Sequence, residues 1–346
     1  MRLSSVLLSS LCTLASAQCG TVANQPIKAL HASYAADPLL GRRHEPGQTL
    51  EIPTYFHVIT ANNTLAGGHI PHAAIDRQVA VLNKAYAEAG FSFILNATAD
   101  YVLAPGWQHV EVSSETELTM KSALRRGDYA TLNVYVASLT APPELGNVLG
   151  IATFPEKPTS KRTLTLDGVI VHPVVLPGLA ANPFNQGVTL VHEVGHWLSL
   201  LHTFDPPDDA ADDDELAGCR GPGDYIFDTP AEGTAAYGCL VGRDTCTGSL
   251  EAENPTSMPG PDPVHNYMDY SDDACLYTFT PGQVERMMTA FSDERVNYVE
   301  GEDEPEPEQG PAPNANGTVP CGNSTVPGSN STVIPPRNLT RVPHGN

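Results

Sequence analysis

Residues 189–204, TLVHEVGHWLSLLHTF, contain three histidines and a glutamate whose spacing suits the chemistry of a bound metal. His192 and His196 lie four residues apart. On a helix both imidazoles therefore leave the same side, one turn apart, and can bind one zinc ion. Glu193 then points at the edge of that side, where it can act as general base on a zinc-bound water without binding the metal. The alternative is an amphipathic helix with two partly exposed histidines that bind nothing.

His202 favours the metal site over this alternative. It lies six residues beyond His196, a spacing at which a continuing helix would carry it away from the other two histidines. If the chain turns sharply near Ser199, His202 returns as the third ligand. Three protein ligands leave the fourth position of a zinc ion open for water, which is the arrangement of a catalytic site.

The helix with these residues follows Gly187 and has an apolar face of leucines and a valine. Before it, the stretch 51–60 alternates apolar and polar residues, as a half-buried strand does. The stretch 70–90 has the apolar face of a helix, and we expect Gly90 to end that helix as a C-terminal cap. Further strands are predicted over 91–96, 131–139, 149–154 and 167–176, and a second helix with a serine cap over 113–127. The pattern predicts an α+β domain with sheet and helices first and a cysteine-rich part after.

The N-terminus predicts secretion. Arg2 precedes an apolar run from Val6 to Leu14 and the small residues Ala15 to Ala17, the pattern of a signal peptide cut after Ala17. The run is too short for a membrane span, and no later segment is long enough. The mature chain keeps an even number of cysteines, and four of them crowd into the region after the motif, where we expect irregular structure held by two disulfides. Glycosylation sequons agree with secretion and begin at Asn62, Asn96, Asn316, Asn323, Asn330 and Asn338.

Composition divides the chain of 346 residues. We predict a signal peptide over 1–17, an N-terminal pro-like segment over 18–48, the domain with the metal site over 49–299, and a disordered, acidic, proline-rich, N-glycosylated tail over 300–346. The tail lacks the hydrophobic terminus of a lipid-anchor signal, so we expect no membrane anchor. The oligomeric state stays open.

The net charge of −22 argues against a nucleic acid or an anionic membrane as partner. Much of this charge lies in two acidic stretches, 205–215 and 300–308. We interpret both stretches as solvated, mobile chain rather than as dedicated cation sites.

Three stretches of the sequence resemble a known family. HEVGHWLSLLH, residues 192–202, is similar to the extended zinc motif of the metzincins, HExxHxxGxxH, and HNYMDYSD, residues 265–272, resembles the Met-turn that follows it, with Met268 at its centre. With GDYIFDTP, residues 223–230, these motifs are most similar to the pappalysin family and its secreted fungal branch.

The resemblance covers residues 50–297 and implies a metzincin-type α+β metalloprotease catalytic domain. Such a domain has an N-terminal mixed sheet with two backing helices, followed by the active-site helix. A disulfide-rich irregular C-terminal subdomain with the Met-turn and a C-terminal helix comes after them.

The resemblance also implies roles for the motif residues. The three histidines would bind one catalytic Zn²⁺, and Glu193 would take a proton from the zinc-bound water and pass it to the leaving amine. Met268 would form an apolar floor beneath the metal; the alternative is an ordinary core methionine. Tyr270 would approach the zinc and stabilise the oxyanion of the tetrahedral intermediate; the alternative is a tyrosine packed under the turn.

Ser199 stands where the family pattern has glycine. The glycine lets the chain leave the helix with a positive φ, and a serine in that conformation costs about 1–2 kcal/mol. We therefore expect Ser199 to have a positive φ and the helix to end within a residue or two of it. Replacing Ser199 with Gly is then expected to preserve or raise stability.

The cysteines and one acidic loop complete the implied features. The resemblance implies two interleaved disulfides, Cys219–Cys246 and Cys239–Cys275. For the two remaining cysteines we expect a Cys19–Cys321 disulfide, which would tie the tail to the start of the mature chain. The alternative is a Cys19 thiolate that binds the zinc and keeps a proenzyme inactive.

A second cation is also implied. Asp224, Asp228 and Thr229 match a calcium-binding segment of the family, and their oxygens are the ligands that Ca²⁺ prefers. The alternative is a loop in which Asp228 caps backbone amides.

These features predict a secreted zinc-dependent endopeptidase that hydrolyses peptide bonds of extracellular proteins through a zinc-bound water activated by Glu193. A zinc-bearing but inactive scaffold that binds proteins is the second hypothesis; it would most simply have lost the glutamate, which is present here. The third is a surface or matrix module whose glycosylated tail is the working part, a function that does not require the zinc set.

Overall fold

The computed structural model describes residues 17–37, 49–140, 147–207, 216–248 and 256–298, together with Ala210 and Asp214. Nearly all of the predicted signal peptide, over 1–16, and the predicted tail lie outside the described residues, so both stay predictions.

The described residues form strands and short helices in an order close to the predicted one. In chain order the strands are β1 (Ala17–Cys19), β2 (Leu50–Thr60), β3 (Phe91–Leu95), β4 (Asp100–Leu103), β5 (His109–Glu111), β6 (Leu132–Val136), β7 (Ser138–Thr140), β8 (Asn147–Ala152) and β9 (Val169–Val171). The helices are α1 (Gln25–Ala35), α2 (His72–Tyr86), α3 (Glu115–Leu124), α4 (Lys161–Leu166), α5 (Val188–Trp197) and α6 (Pro281–Ala290), which a short π-helix continues over Phe291–Val296.

Most strands belong to one mixed sheet, in the order β1-β8-β9-β6-β2-β3. β3 pairs with the first half of β2, and β4 pairs with its second half. Neighbouring strands are parallel except β8, which runs antiparallel to β9. β5 and β7 form a separate parallel pair. The mixed sheet implied by the resemblance is thereby confirmed, and among the described residues β1 is the strand that pairs with the outer edge of β8.

Helices cover both faces of this sheet. On one face the larger core joins Leu82 of α2 and Val194 of α5 to strand residues such as Val134. On the other face the smaller core joins Met120 of α3 to Ile59 of β2. α2 and α3 are thus the two backing helices, and α5 packs beside α2.

The half-buried strand predicted over 51–60 is wrong for the second half of β2. Buried and more exposed residues alternate as far as Tyr55, but Phe56 to Thr60 are all buried because helices lie on both sides. His57 is among these buried residues, and its Nε2 lies 3.1 Å from Asn133 Oδ1. A central strand between two helical layers is buried on both faces, which alternation alone does not predict.

Several predicted boundaries also differ. α2 ends at Tyr86 with Ala87 as its C-cap, so Gly90 is not the cap; it has a φ of 77° in the turn before β3. α3 has the predicted serine cap, since Ser114 Oγ accepts a hydrogen bond from Glu117 N at 3.1 Å. The strand predicted over 131–139 is divided into β6 and β7, and the one predicted over 167–176 is reduced to β9.

The N-terminal segment contains β1 and α1, which the sequence did not predict. Asn24 caps α1, because its Oδ1 accepts a hydrogen bond from Ile27 N at 3.0 Å. The helix buries Ile27, His31 and Tyr34. Two of these three side chains carry polar groups, so the apolar pattern that identifies a helix in a sequence is weak here.

The π-helix that continues the C-terminal helix α6 contacts the end of α5. Thr280 and Gln283 form a capping box at the start of α6. Arg295, in the π-helix after it, is buried with its guanidinium 3.7 Å from the centroid of the Trp197 ring, and its Nε donates to the Trp197 carbonyl oxygen at 3.0 Å. In the part of the chain that the structure describes, no helix combines the length and the apolar character needed to cross a membrane.

Candidate metal centre and active site

α5 positions the motif histidines, and its first turn is fixed by two contacts. Gly187 precedes the helix with a φ of 86°, and a Cβ there would lie 2.6 Å from the Gln78 side-chain oxygen. The Asp273 carboxylate accepts hydrogen bonds from Gln186 N at 2.7 Å and Val188 N at 3.4 Å. A carboxylate at a helix N-terminus satisfies its free amides and complements the helix dipole.

Both histidines of α5 are buried, with exposed fractions of 5% for His192 and 0% for His196. Burial lowers the pKa of His192 to about 3 and holds the pKa of His196 well below its usual value, and the neighbouring His202 lowers both further. Neutral imidazoles are the form that binds a metal. The partial exposure assumed by the alternative, an amphipathic helix whose histidines bind nothing, is wrong.

The chain turns out of α5 at Ser199. The helix ends at Trp197, and Ser199 has a φ of 74°, in the left-handed region. Leu200 N donates to the Gly195 carbonyl oxygen at 2.9 Å, which closes the turn. The expected positive φ is thereby confirmed. The sequence did not predict that the Ser199 hydroxyl lies 3.2 Å from Nε2 of His31 in α1.

We expect Ser199→Gly to act differently with and without α1. The glycine removes left-handed strain of about 1–2 kcal/mol in both forms. In the full chain it also leaves the buried His31 Nε2 without its partner, which costs about 1–3 kcal/mol. Denaturant unfolding should therefore show the substitution as neutral or destabilising in the full chain, and as neutral or stabilising after removal of the residues before 49. Stabilisation of the full chain by more than about 1 kcal/mol would contradict a contribution from the His31 contact.

The three histidines converge through their Nε2 atoms. His196 Nε2 lies 3.1 Å from His192 Nε2 and 3.1 Å from His202 Nε2. Each outer nitrogen, Nδ1, donates a hydrogen bond to an oxygen: His192 to the Tyr267 carbonyl at 2.7 Å, His196 to the Leu200 carbonyl at 2.7 Å, and His202 to Asp205 Oδ1 at 3.1 Å. Because these protons are on Nδ1, each Nε2 presents a lone pair to the others.

This donor set fits a tetrahedral metal ion. The lone pair of His196 Nε2 lies 3.1 Å from each of the other two Nε2 atoms, and such bare lone pairs repel one another unless a cation lies between them. Nitrogen ligands at about 2.0–2.1 Å from a tetrahedral zinc ion would lie about 3.3 Å from one another. The ligand atoms of Cys19 and the three histidines all lie within 4.8 Å of one another. Among the residues that the structure describes, no other group of three or more such ligands converges.

Glu193 lies beside these histidines with one carboxylate oxygen bound and the other free. Oε2 accepts hydrogen bonds from the Thr21 hydroxyl at 3.1 Å and the Cys19 thiol at 3.3 Å. Oε1 is buried and has no hydrogen-bond partner in the described part of the chain. Burial raises the pKa of Glu193 to about 8. Gly150 of β8 makes room for the carboxylate, since a Cβ there would lie 2.5 Å from Oε1.

The Met-turn brings Met268 and Tyr270 to the same place. Met268 is fully buried and packs against Gly195, where any Cβ would collide with its sulfur. The Tyr270 hydroxyl lies 3.3 Å from His202 Nε2 and donates to the Cys19 carbonyl oxygen at 3.3 Å. The tyrosine thus reaches the nitrogen that would bind the metal, which favours the catalytic role over simple packing.

The structure contains the two implied disulfides, Cys219–Cys246 and Cys239–Cys275, with Cα separations of 5.3 Å and 5.8 Å. Cys19 is bonded to none of the described cysteines, and Cys321 lies outside the described residues. The Cys19–Cys321 disulfide therefore stays a prediction. The place of Cys19 among the histidines is the one that its alternative, a thiolate at the zinc, requires.

The segment implied as a calcium site serves another contact. Asp228 uses both carboxylate oxygens at the start of α6, accepting hydrogen bonds from Thr280 Oγ1 at 2.7 Å and Gly282 N at 2.8 Å. This is the backbone capping of the alternative. Asp224 and Thr229 are both buried. Calcium at these residues stays a prediction, and the contacts of Asp228 do not need it.

Two of the predicted glycosylation sites are described, and both asparagines are exposed. Asn62 Oδ1 accepts a hydrogen bond from Thr64 N at 2.9 Å, and Asn96 Nδ2 donates to the Tyr55 hydroxyl at 2.6 Å. The remaining sites, Asn316, Asn323, Asn330 and Asn338, lie outside the described residues.

Three residues of the site were missed in the sequence. The solvated-chain interpretation of 205–215 is wrong for Asp205, whose side chain is 15% exposed and contacts His202. Gly150 carried a signal, because a glycine inside a strand often marks a close approach. Thr21 carried none, since its contact with Glu193 depends on how the N-terminal segment packs.

Known proteins are similar to this chain in sequence and in fold. The profile of peptidase family M43, described as pregnancy-associated plasma protein-A, matches residues 124–292. An extracellular metalloprotease of Pyricularia oryzae is 39% identical over 265 residues, which cover 77% of this chain and 82% of the relative. An extracellular metalloprotease of Colletotrichum graminicola is 42% identical over 248 residues, which cover 71% and 78%.

This chain is also similar to solved structures of mirolysin. Mature mirolysin of Tannerella forsythia, in complex with a cleaved peptide, is 29% identical with a TM-score of 0.53, covering 72% of this chain and 97% of that one. A mutant of promirolysin from the same organism is 27% identical with a TM-score of 0.55, covering 79% and 91%.

The mixed sheet, the buried HExxH helix and the histidine that returns after a sharp turn define a metzincin-type metalloendopeptidase. More particularly, the chain belongs to the pappalysin family, peptidase family M43.

Proposed function

We propose that this protein is a secreted zinc endopeptidase that hydrolyses peptide bonds of extracellular proteins. The observation that carries the proposal is the convergence of three histidine Nε2 atoms beside the free Oε1 of Glu193. Three converging neutral imidazoles suit zinc. The signal peptide predicted from the sequence and the relatives named extracellular metalloproteases support secretion.

The protein residues divide the work around the zinc. His192, His196 and His202 would hold it, and their Nδ1 hydrogen bonds fix the tautomer that leaves Nε2 free. When bound, zinc supplies a Lewis acid that polarises the substrate carbonyl and makes a water more acidic. Glu193 Oε1 takes the proton of the attacking water and delivers it to the leaving amine.

Tyr270 donates to the oxyanion of the tetrahedral intermediate. Burial raises the pKa of its phenol well above the usual value, so the hydroxyl stays a donor at neutral pH. In the structure it donates to the Cys19 carbonyl oxygen at 3.3 Å. We take this carbonyl as a stand-in for the carbonyl of a bound substrate.

Once β1 is removed from this edge, the substrate lies along β8 as an added strand, a common mode of peptide recognition at a free sheet edge. A small cavity of about 40 Å³ opens beside His192 and Glu193. Its apolar lining consists of Leu149, Phe184, Val188 and Leu276. A residue next to the cleaved bond places its side chain here, and we expect small or medium apolar side chains to be preferred.

Residues 18–48 act as a pro-segment that blocks this edge. β1 pairs in parallel with β8, and Cys19 lies opposite Gly150, next to the glutamate. The Cys19 thiol and the Thr21 hydroxyl both contact Glu193 Oε2. The larger share of this chain covered by promirolysin than by mature mirolysin, 79% against 72%, also supports this role. We favour a Cys19 thiolate at the zinc over the Cys19–Cys321 disulfide.

Cleavage between residues 38 and 48 should raise peptidase activity at least about tenfold. A tethered segment competes at an effective concentration on the order of millimolar, so micromolar substrate displaces it poorly. In the uncleaved protein Cys19→Ala should raise activity in part, whereas Val22→Ala, at a residue that is 76% exposed, should not. Equal activity of cleaved and uncleaved protein would contradict the blocking role of residues 18–48. A Cys19–Cys321 peptide in a non-reducing digest would contradict a Cys19 thiolate at the zinc.

Digestion of a peptide library by the cleaved protein tests the proposed function. We expect cuts at internal bonds, with an apolar residue enriched on one side of the cut, and no cuts when a zinc chelator is present. Release of terminal residues alone, or no cleavage of any peptide, would contradict an endopeptidase.

A further inference from the structure

Among the three histidines of the proposed zinc site, His202 differs from the others in the group that accepts a hydrogen bond from its Nδ1. His192 and His196 donate from Nδ1 to backbone carbonyl oxygens, each at 2.7 Å. His202 donates instead to the Asp205 carboxylate, with 3.1 Å between Nδ1 and Oδ1. The contact is largely shielded from water, because the side chains are 7% and 15% exposed.

The loop that follows His202 holds Asp205 in this position. Asp205 N donates to the His202 carbonyl oxygen at 3.3 Å, so the two residues face each other across a tight turn. Phe204 stacks on the His202 ring with centroids 4.9 Å apart and planes 12° apart. Lys28 of α1 donates to the Pro206 carbonyl oxygen at 3.1 Å. The aspartate therefore belongs to the ordered turn, although it opens a strongly acidic stretch of sequence.

The geometry points to Asp205 as a positioning residue for the metal: its carboxylate fixes the tautomer and ring orientation of His202 and strengthens that ligand. This inference rests on the proposed zinc site. A carboxylate behind a metal-binding imidazole draws the Nδ1 proton towards itself and makes Nε2 a better donor, and removing such a partner typically costs 10–100-fold in metal affinity or activity.

His202 is the ligand for which such support has the largest consequence. It lies outside the helix, after a residue with a strained φ of 74°, whereas His192 and His196 are fixed by α5. A ligand on a loop has more freedom to turn away, so a fixed hydrogen bond to its outer nitrogen reduces the conformational entropy lost on binding metal.

Zinc competition titrations of the metal-free full chain test this role. Asp205→Ala should raise the zinc Kd by about 10–100-fold, and Asp205→Asn, which keeps an acceptor oxygen without the charge, should raise it less. Asp214→Ala is the matched control, because Asp214 belongs to the same acidic stretch but pairs with Arg220. It should leave the Kd unchanged. In the cleaved enzyme Asp205→Ala should lower kcat and leave KM unchanged, since Asp205 does not touch substrate.

The outcomes separate this inference from the proposed function. Zinc bound by Asp205→Ala and by Asp205→Asn as tightly as by the wild type would overturn the role of Asp205 and leave the zinc site intact. A wild-type chain that binds no zinc would overturn the zinc site itself. The metal-free wild type and variants should also unfold with the same stability. If the zinc Kd rises only in variants whose metal-free form is less stable, Asp205 has a structural role and the inference is overturned.

Discussion

Replacing Glu193 with Gln should reduce cleavage of casein by at least about 10²–10⁴-fold while zinc stays bound. The Glu193 carboxylate is not among the groups that converge on the metal position. It lies beside the three histidines with its Oε1 free. Glutamine keeps the shape that fits against Gly150 and an oxygen that can accept from the Thr21 hydroxyl. What it loses is the ability to take a proton from the attacking water, so kcat falls and the folded protein is unchanged.

This substitution separates the enzyme from an inactive scaffold. Zinc content and thermal unfolding of Glu193→Gln should stay close to those of the wild type. Glu88→Gln, at an exposed glutamate, should cleave casein as the wild type does. If Glu193→Gln cleaves as fast as wild type, or if the wild-type protein freed of residues 18–48 cleaves nothing, the general-base role fails and the scaffold hypothesis gains.

Replacing His196 with Ala should abolish both zinc binding and proteolysis, with activity lower by at least about 10³-fold. His196 is the central ligand, because its Nε2 lies 3.1 Å from both other Nε2 atoms. In the protein freed of residues 18–48, and so of Cys19, the two remaining nitrogens do not hold zinc against dialysis as three do. The zinc content should fall from about one equivalent to nearly none.

The matched control for this change is His109→Ala, which removes an exposed histidine on β5. It should leave zinc content and activity unchanged. A His196→Ala protein that keeps one zinc equivalent would mean that the metal binds elsewhere, and the assignment of the three histidines would be wrong.

The parts of the site that could be predicted from the sequence are those whose residues lie close together in the chain. His192, Glu193 and His196 lie within two turns of one helix, so their relative placement follows from helical geometry alone. His202 required one further inference, the sharp turn at Ser199, and the φ of 74° confirms it. The Met-turn and the two disulfides came from the family resemblance, because nothing local relates residues so distant in the chain.

The contacts that the sequence did not predict join separate elements through polar groups. Gly150 admits Glu193 only because β8 packs against α5, and His31 reaches Ser199 only because α1 docks behind the site. Asp205 is indistinguishable by composition from the acidic residues that follow it. A buried hydrogen bond between distant residues leaves no periodic trace, so hydrophobic periodicity does not report it.

Metal analysis of the cleaved wild-type protein, combined with chelation and zinc readdition, tests the zinc endopeptidase most directly. We expect about one zinc equivalent per chain, loss of casein cleavage when a chelator removes it, and recovery of cleavage when one equivalent of zinc is returned to the same sample. Casein cleavage that persists at full rate in metal-free protein would contradict the central claim.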